Sequence, residues 1–329
     1  MQRLGLVLHH GIESGAELSR YGRLAETNGF ESLWVTERYF HEETAALLGH
    51  LAASTTTLRL GVGVVNPYTR HPALTAMTAA TLDRISGGRF MLGLGRSDRA
   101  VIEARLGIPY GSGRDTMEAA VGVVRRLLAG EHVHATTGRF PLAGAKLATR
   151  PIQTPLPIYL AAIGPKALQI AGRVADGVLL NAYVSPAYVR WAVGVLHEAA
   201  RAAGRDPAGI DVACMLVVRL SDDPAALMPA LRERLVRLLA EAHVGELLLE
   251  TSGFDPAIAA RIRAAEAAGE RPRAVALVDD AMVASCYLLG SAAQCRERIA
   301  AYRAAGVDAP LLLPPLGDYA RVAEALRPT

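Results

Sequence analysis

Lysine is nearly missing from this 329-residue chain: of its 35 basic side chains, only Lys146 and Lys166 are lysines. Cysteine is scarce as well. Cys214, Cys286 and Cys295 are odd in number and widely spaced, which excludes a disulfide framework and a thiolate metal cluster. Each reads as a small buried hydrophobe in a reducing, cytoplasmic setting. Aromatic residues make up 5% of the chain, and no basic block interleaves with them. With a net charge of only +3 and both signs mixed throughout, no nucleic-acid partner is expected. The composition is 51% hydrophobic with a mean hydropathy of +0.22, so a large core is expected. Yet charges interrupt every apolar run before the roughly 18 residues that a membrane-spanning helix needs. The opening MQRLGLVLHHG has too short an apolar part for a signal peptide and reads as a first strand. His9, His10, His41, His50 and His71 lack the paired helical spacing of zinc proteases, so no metal is expected. A Gly-x-Ser-x-Gly elbow is also missing, which removes the strongest cue for a hydrolase.

What is present is rhythm. Apolar strand-like runs at Leu4–His9, Ser32–Thr36, Leu58–Val65, Arg89–Gly95, Pro157–Ile163, Val178–Leu180, Ile210–Leu220 and Pro310–Leu313 alternate with helical patterns. Those patterns cover Glu17–Asn28, Thr44–Ser54, Pro72–Ile85, Thr116–Ala129, Leu168–Ala175, Ala187–Ala203 and Ala292–Ala305. Repeated βα units make a parallel sheet, and eight of them in this length favour an α/β fold of the (β/α)8 TIM-barrel type. Residues 1–329 read as a single TIM-barrel domain with two interruptions. Glu131–Pro155 is polar and reads as an inserted loop or hairpin. Asp222–Asp280 is Ala- and Arg-rich and reads as a mostly helical insertion over one end of the barrel.

In such a barrel the chemistry sits at the carboxyl ends of the strands. Polar residues gather there: His9, His10 and Glu13 after the first strand, Glu37, Arg38 and His41 after the second, and Asn66 to His71 after the third. The fifth strand leads into Gly164-Pro165-Lys166. Here glycine permits a sharp turn and proline suits the first helical position, so a helix N-terminus points out of the strand end. Such a terminus attracts anions, and one of the two lysines stands beside it. The pattern alone fits either a phosphate site or a structural βαβ unit. Gly93-Leu94-Gly95-Arg96-Ser97 offers a second anion cradle, though it lacks the third glycine of a dinucleotide fingerprint.

Three segments, LGVGVVNPYTRHPALTAMTAATLDRISGGRFMLGLG (60–95), PIYLAAIGPKALQIAGRVADGVLLN (157–181) and VDDAMVASCYLLGSAAQCRERIAAYRAAGVD (278–308), together resemble the bacterial-luciferase-like superfamily. Within it they are most similar to coenzyme F420-dependent enzymes of the methylenetetrahydromethanopterin reductase type. The resemblance implies a 5-deazaflavin cofactor, F420, at the barrel mouth. Its phosphate would lie near Gly95, Arg96 and Ser97 and near Gly164, Pro165 and Lys166. Ala161, Ala162 and Ile163 would line it, a cis peptide at Gly63-Val64 would sit behind its ring, and Asn66 would lie beside the ring. The implied reaction is hydride transfer between the deazaflavin C5 and a C=N, C=C or methylene-pterin-like substrate. An FMN-dependent luciferase-like monooxygenase is the alternative. Relatives of the reductase type carry a Glu two residues after the first-strand glycine, where this chain has Val7; many F420 relatives carry Asp-His where it has Glu37-Arg38. A permanently charged Arg38 cannot shuttle protons as a His can, and is expected to bind an acidic substrate or a ring carbonyl. The proton donor is therefore sought among His9, His10, Glu13 and His41, and Glu37, Arg38, Glu13 and His9 make up the candidate catalytic set. A small-molecule substrate and a homodimer are expected.

Overall fold

The computed structural model describes residues 3–135 and 138–328. Its strands are β1 (Gly5–Leu8), β2 (Ser32–Val35), β3 (Arg59–Val62), β4 (Phe90–Leu94), β5 (Val133–Ala135), β6 (Leu142–Ala145), β7 (Ile158–Ala162), β8 (Gly177–Leu180), β9 (Asp211–Leu220), β10 (Tyr287–Gly290) and β11 (Ala309–Leu313). Its helices are α1 (Gly15–Thr27), α2 (Thr44–Ser54), α3 (Pro72–Ile85), α4 (Gly113–Leu128), α5 (Pro165–Val174), α6 (Pro186–Ala202), α7 (Met228–Leu239), α8 (Val244–Thr251), α9 (Ala257–Ala267), α10 (Arg271–Ala276), α11 (Asp280–Cys286), α12 (Ala292–Ala304) and α13 (Tyr319–Ala325). None of the described helices is long and apolar enough to cross a membrane.

Eight parallel strands close in the order β1-β2-β3-β4-β7-β8-β9-β11, with β11 returning to β1. This is the TIM barrel that the βα rhythm predicts. The antiparallel pair β5–β6 stays outside the ring, because β4 pairs directly with β7 across it. Thr136 and Thr137, inside the predicted 131–155 insertion, lie outside the described residues. Residues 222–280 form α7 to α10 and reach the start of α11. Strand β10 has no counterpart in the sequence pattern: the apolar residues Met282, Val283 and Cys286 of α11 run straight into it, so periodicity does not mark a boundary. Val217 pairs with Leu313 of β11 and also with Tyr287 of β10. The two partners must lie on opposite edges, so β10 extends the wall beyond the end of β8.

Strand residues sort by alternation, as the period of two requires. Leu6, Leu8, Leu33, Val35, Leu60 and Val62 face the helices, whereas Val7, Trp34, Met91, Tyr159, Leu179, Met215 and Leu311 share a separate cluster inside the ring. Trp34 and Tyr159 meet edge to face at 5.1 Å and form the bulk of that plug. Glycines on neighbouring strands make room for them. A Cβ on Gly61 would overlap the Trp34 indole, and one on Gly177 would overlap the Tyr159 ring. Val7, which stands where the reductase-type relatives place a Glu, is part of this apolar filling and is 1% exposed.

Polar ties close the amino end of the barrel. The Tyr159 hydroxyl donates to Asp211 at 2.5 Å, and Arg3 forks onto both Asp211 oxygens at 2.8 and 2.9 Å. Despite burial, the bonds from Arg3 and Tyr159 hold the Asp211 carboxyl below its ordinary range. The Ser-Gly-Gly-Arg motif at 86–89 also belongs to this scaffold. Its glycines take φ of 69° and 81°, and the Arg89 guanidinium donates to the carbonyls of Ala52, Thr55 and Leu58, binding the end of α2 to the start of β3. Fully buried Asp83 accepts from the Ile152 and Gln153 backbone at 2.6 and 2.9 Å and so fixes the approach to β7.

Gly61→Ala tests the plug. Overpacking against Trp34 is expected to cost about 1–3 kcal/mol, read as a lower melting temperature, and Trp34→Phe in the same chain is expected to restore part of the loss.

Candidate active site

Because all eight barrel strands run the same way, their carboxyl ends open onto one mouth. On the arc formed by β3, β4 and β7, the Gly63-Val64 peptide is cis, in agreement with the implied feature. The chain then pairs again: Val65 bridges Leu94, and the Gly95 N–H donates to the Val65 carbonyl at 2.9 Å. The Val64 side chain leans towards Gly95, where an added Cβ would stand 2.5 Å from Val64 Cγ2 and 3.3 Å from the Ala161 Cβ. Gly95 therefore keeps a narrow space open between β3 and β7. Ser97 follows in a left-handed conformation at φ 60°, with its carbonyl held by the Tyr110 hydroxyl at 3.3 Å.

The neighbouring loop completes this arc. Leu94 pairs with Leu160, so Ala161, Ala162 and Ile163 continue beside Gly95, Arg96 and Ser97. The Ile163 carbonyl is anchored by the Tyr188 hydroxyl at 2.6 Å. Gly164 caps α5 without a side-chain bond, and nothing lies within 4 Å of where its Cβ would be. Among the described residues, no side chain at the N-cap accepts from the first turn of α5. Arg96 and Lys166 are exposed, and neither is in an ion pair among the described residues. Unfilled donors and two free cations on adjoining loops suit a phosphate.

Asn66 is buried and fully engaged. Its Oδ1 accepts from the N–H groups of Tyr68 and Thr69 at 3.0 and 3.1 Å, and its Nδ2 donates to the Tyr39 hydroxyl. It shapes its own turn beside the cis peptide.

The residues considered as proton donors fall into different settings. His9 Nδ1 lies 2.7 Å from Thr36 Oγ1, and that hydroxyl is within reach of the Leu8 carbonyl at 3.5 Å. The chain of bonds assigns the proton to Nδ1 and leaves the Nε2 lone pair towards Arg38, 3.5 Å away. Burial, His10, Arg38, Arg234 and His41 together push the His9 imidazolium down to about 4. His9 is consequently a neutral acceptor at pH 7 and has no spare proton to give as an acid. His10 lies between His9 and His41, edge-on to the first and tilted against the second, with centroids at 4.1 and 4.2 Å, and burial lowers its pKa too. Glu37 is held by Arg70 at 2.8 Å, and Arg70 also grips Glu43. Arg38 is exposed. Glu13 is exposed as well, one residue before the Ser14 cap of α1, and is not drawn into the His9 group.

Other residues at the mouth escape sequence reasoning. Tyr183, at φ 66° beyond β8, accepts from Arg234 Nε at 3.2 Å and packs edge-on against Tyr287 at 5.3 Å. The carboxyl of Glu241, after α7, is raised by burial and by Asp98. This places the helical insertion next to the loop after β4. The left-handed tyrosine carries no local signal, and the arginine lies in a segment already rich in arginine.

Comparison with known proteins agrees with this architecture. The 5,10-methylenetetrahydromethanopterin reductase of Methanolobus tindarius is 36% identical over 86% of this chain and 85% of its own. The F420-dependent glucose-6-phosphate dehydrogenase of Beutenbergia cavernae is 33% identical over 74% of this chain and 76% of its own. Among solved structures, the coenzyme F420-dependent tetrahydromethanopterin reductase of Methanopyrus kandleri superposes with a TM-score of 0.84 at 28% identity, covering 99% of this chain and 97% of that one. The family model described as luciferase-like monooxygenase matches residues 2–309. The protein therefore belongs to the luciferase-like family.

Proposed function

We propose that the protein is an F420-dependent oxidoreductase. The observation that carries this reading is the open cradle formed by Gly95, Arg96 and Ser97 with the uncapped start of α5 at Gly164, Pro165 and Lys166. It occurs in a chain whose named relatives include F420-dependent enzymes. The cradle suits the phosphate of the cofactor tail, while Val64, Ala161, Ala162 and Ile163 supply an apolar wall. A bound deazaflavin supplies hydride chemistry at its C5 carbon, with a C=N, C=C or methylene group of an organic substrate as the other party.

The chain's own residues then position the substrate. Neutral His9, oriented by Thr36, turns its Nε2 lone pair to Arg38 and so helps to hold that guanidinium at the mouth. Arg38 adds a permanent charge where a proton shuttle would need a titrating group. Glu37 fixes Arg70 and, through it, the turn between β3 and α3. With Val7 inside the barrel, no carboxylate rises from β1 to act as the acid of the reductase reaction. The substrate is accordingly read as different from the methylene-pterin. Exposed Leu74, Met77 and Ile85 along α3 support a homodimer, and three buried free thiols suit a reducing cytoplasm.

Fluorescence titration of the purified protein with F420 and with FMN tests the reading: saturable F420 binding is expected, and tight FMN binding without F420 binding would overturn it. Lys166→Ala is expected to weaken F420 about tenfold, equivalent to about 1.4 kcal/mol, while leaving binding of the phosphate-free deazaflavin chromophore unchanged. For His9, NMR of ring-labelled histidine is expected to give a midpoint of about 4. Unfolded His9 protonates near its ordinary 6.5, so this residue's share of stability is present above that pH. It is lost as the pH falls towards 4. A midpoint near 6.5 in the folded protein would contradict the neutral-acceptor role.

A further inference from the structure

The loop after β2 is tied down almost residue by residue. Glu37 meets Arg70 at 2.8 Å, and Arg38 Nη1 approaches His9 Nε2 at 3.5 Å. The Tyr39 hydroxyl accepts from Asn66, and the His41 ring lies 4.2 Å from His10. Glu42 accepts from the Gly11 N–H at 3.1 Å. These anchors reach the segments that follow β1 and β3. Within the loop the His41 N–H donates to the Arg38 carbonyl at 3.2 Å, so Arg38 to His41 form a tight turn with Phe40 in its third position. Phe40 takes φ of 66° there. Glycine or asparagine suits that place, and a bulky aromatic residue in a left-handed conformation is strained. Phe40 is also 65% exposed, so burial of its ring does not offset the strain.

A second observation concerns what the ring touches. The Arg105 guanidinium carbon lies 4.4 Å from the centre of the Phe40 ring. Arg105 ends the π-helical turn Val101–Arg105, which follows β4. Strands β2, β3 and β4 are successive neighbours, so the contact between Phe40 and Arg105 spans the carboxyl end of β3. That is the strand whose continuation, through Val64 and Asn66, forms part of the proposed cofactor wall. Tyr68, Ile102 and Tyr110 form a small apolar cluster of their own, with Tyr39, Leu106 and Ile108 packed against it. The loops after β2, β3 and β4 are thereby joined into one rim, and Phe40 stands out from it. One face of its ring meets Arg105. Tyr39, tilted by 55° at 6.4 Å, does not stack on the other. A ring backed by a cation keeps its opposite face available to a flat conjugated partner.

We infer that Phe40, backed by Arg105, sets substrate choice as a stacking platform at the barrel mouth for a flat, conjugated ring of the substrate. Backbone strain persists where the surroundings over-determine it, and it concentrates where ligands are clamped. Here the surroundings are the anchors on both sides of Phe40, and the strain holds an aromatic face open beside the proposed cofactor wall. The platform names the substrate class of the proposed oxidoreductase and rests on that reading for its catalytic meaning. Ring binding at Phe40 is testable without cofactor.

The experiment follows protein carrying para-fluorophenylalanine at its five phenylalanines by fluorine NMR, with the Phe40 signal assigned from Phe40→Leu. Naphthol is titrated into cofactor-free and F420-loaded protein, with decahydronaphthol, its saturated counterpart, as the comparison. Naphthol is expected to shift the Phe40 signal saturably in both, and decahydronaphthol to leave it in place. Phe40→Leu is expected to weaken naphthol about tenfold, and Phe40→Tyr to bind it as the parent does. Phe40→Gly relieves the left-handed strain, so it is expected to melt no lower than the parent and to elute at the same size. An unmoved Phe40 signal at millimolar naphthol would overturn the platform, as would an equal shift with decahydronaphthol. So would a clear drop in the melting temperature of Phe40→Gly, which would make the ring a structural clamp. A change in its oligomeric size would assign the ring to a second copy of the chain and overturn the platform as well. If F420 displaces naphthol from Phe40, the ring belongs to the cofactor and the substrate role falls. Failure of F420 binding with the naphthol response intact would instead strike the oxidoreductase reading alone.

Discussion

Ring closure is the constraint on which the remainder of the molecule depends. Strand β9 pairs with β8 on one edge and with β11 on the other, and β11 returns to β1. Once eight parallel strands are joined this way, every strand must bury both faces. One face meets helices and the other meets Trp34, Tyr159 and their neighbours. The same closure aims every carboxyl end at a single opening. The residues after β1, β2, β3, β4, β7 and β8 are then neighbours, although they are spread over most of the chain.

Much of this fold is legible in the sequence, because doubly buried strands read as short unbroken apolar runs between turn residues. Where that contrast fails, so does the reading. Strand β10 is hidden because the helix before it is equally apolar. Helix α4 begins at Gly113, ahead of the expected Thr116, because Ser112 caps it and the intervening residues are polar and give no periodic signal.

Legibility of the site divides along similar lines. The cradle at Gly164-Pro165-Lys166 is visible because backbone geometry makes it, and glycine and proline announce backbone geometry. The setting of His9 is not visible, since its neutral state comes from burial and from charges on distant segments. Arg234 looks like any other arginine in a chain that uses arginine almost to the exclusion of lysine. Two conspicuous motifs also have a structural part. Ser-Gly-Gly-Arg ties α2 to the barrel floor, and Asn66 of the Asn-Pro-Tyr-Thr-Arg motif spends its side chain on its own turn.

The path of the chain between β9 and β10 has one more consequence. The chain leaves the barrel at Leu220, passes through α7 to α11, and comes back at Tyr287 to lie along the very residues it departed from. Leu220 pairs with Gly290, and the Ser221 N–H donates to the Gly290 carbonyl at 3.0 Å. The excursion thus starts and finishes one strand spacing apart, like a loop closed by a clasp. Its helices can be lengthened, shortened or exchanged without shifting any stave of the barrel. A lineage of such enzymes can revise the ceiling of the reaction chamber while inheriting the floor and the cofactor berth intact.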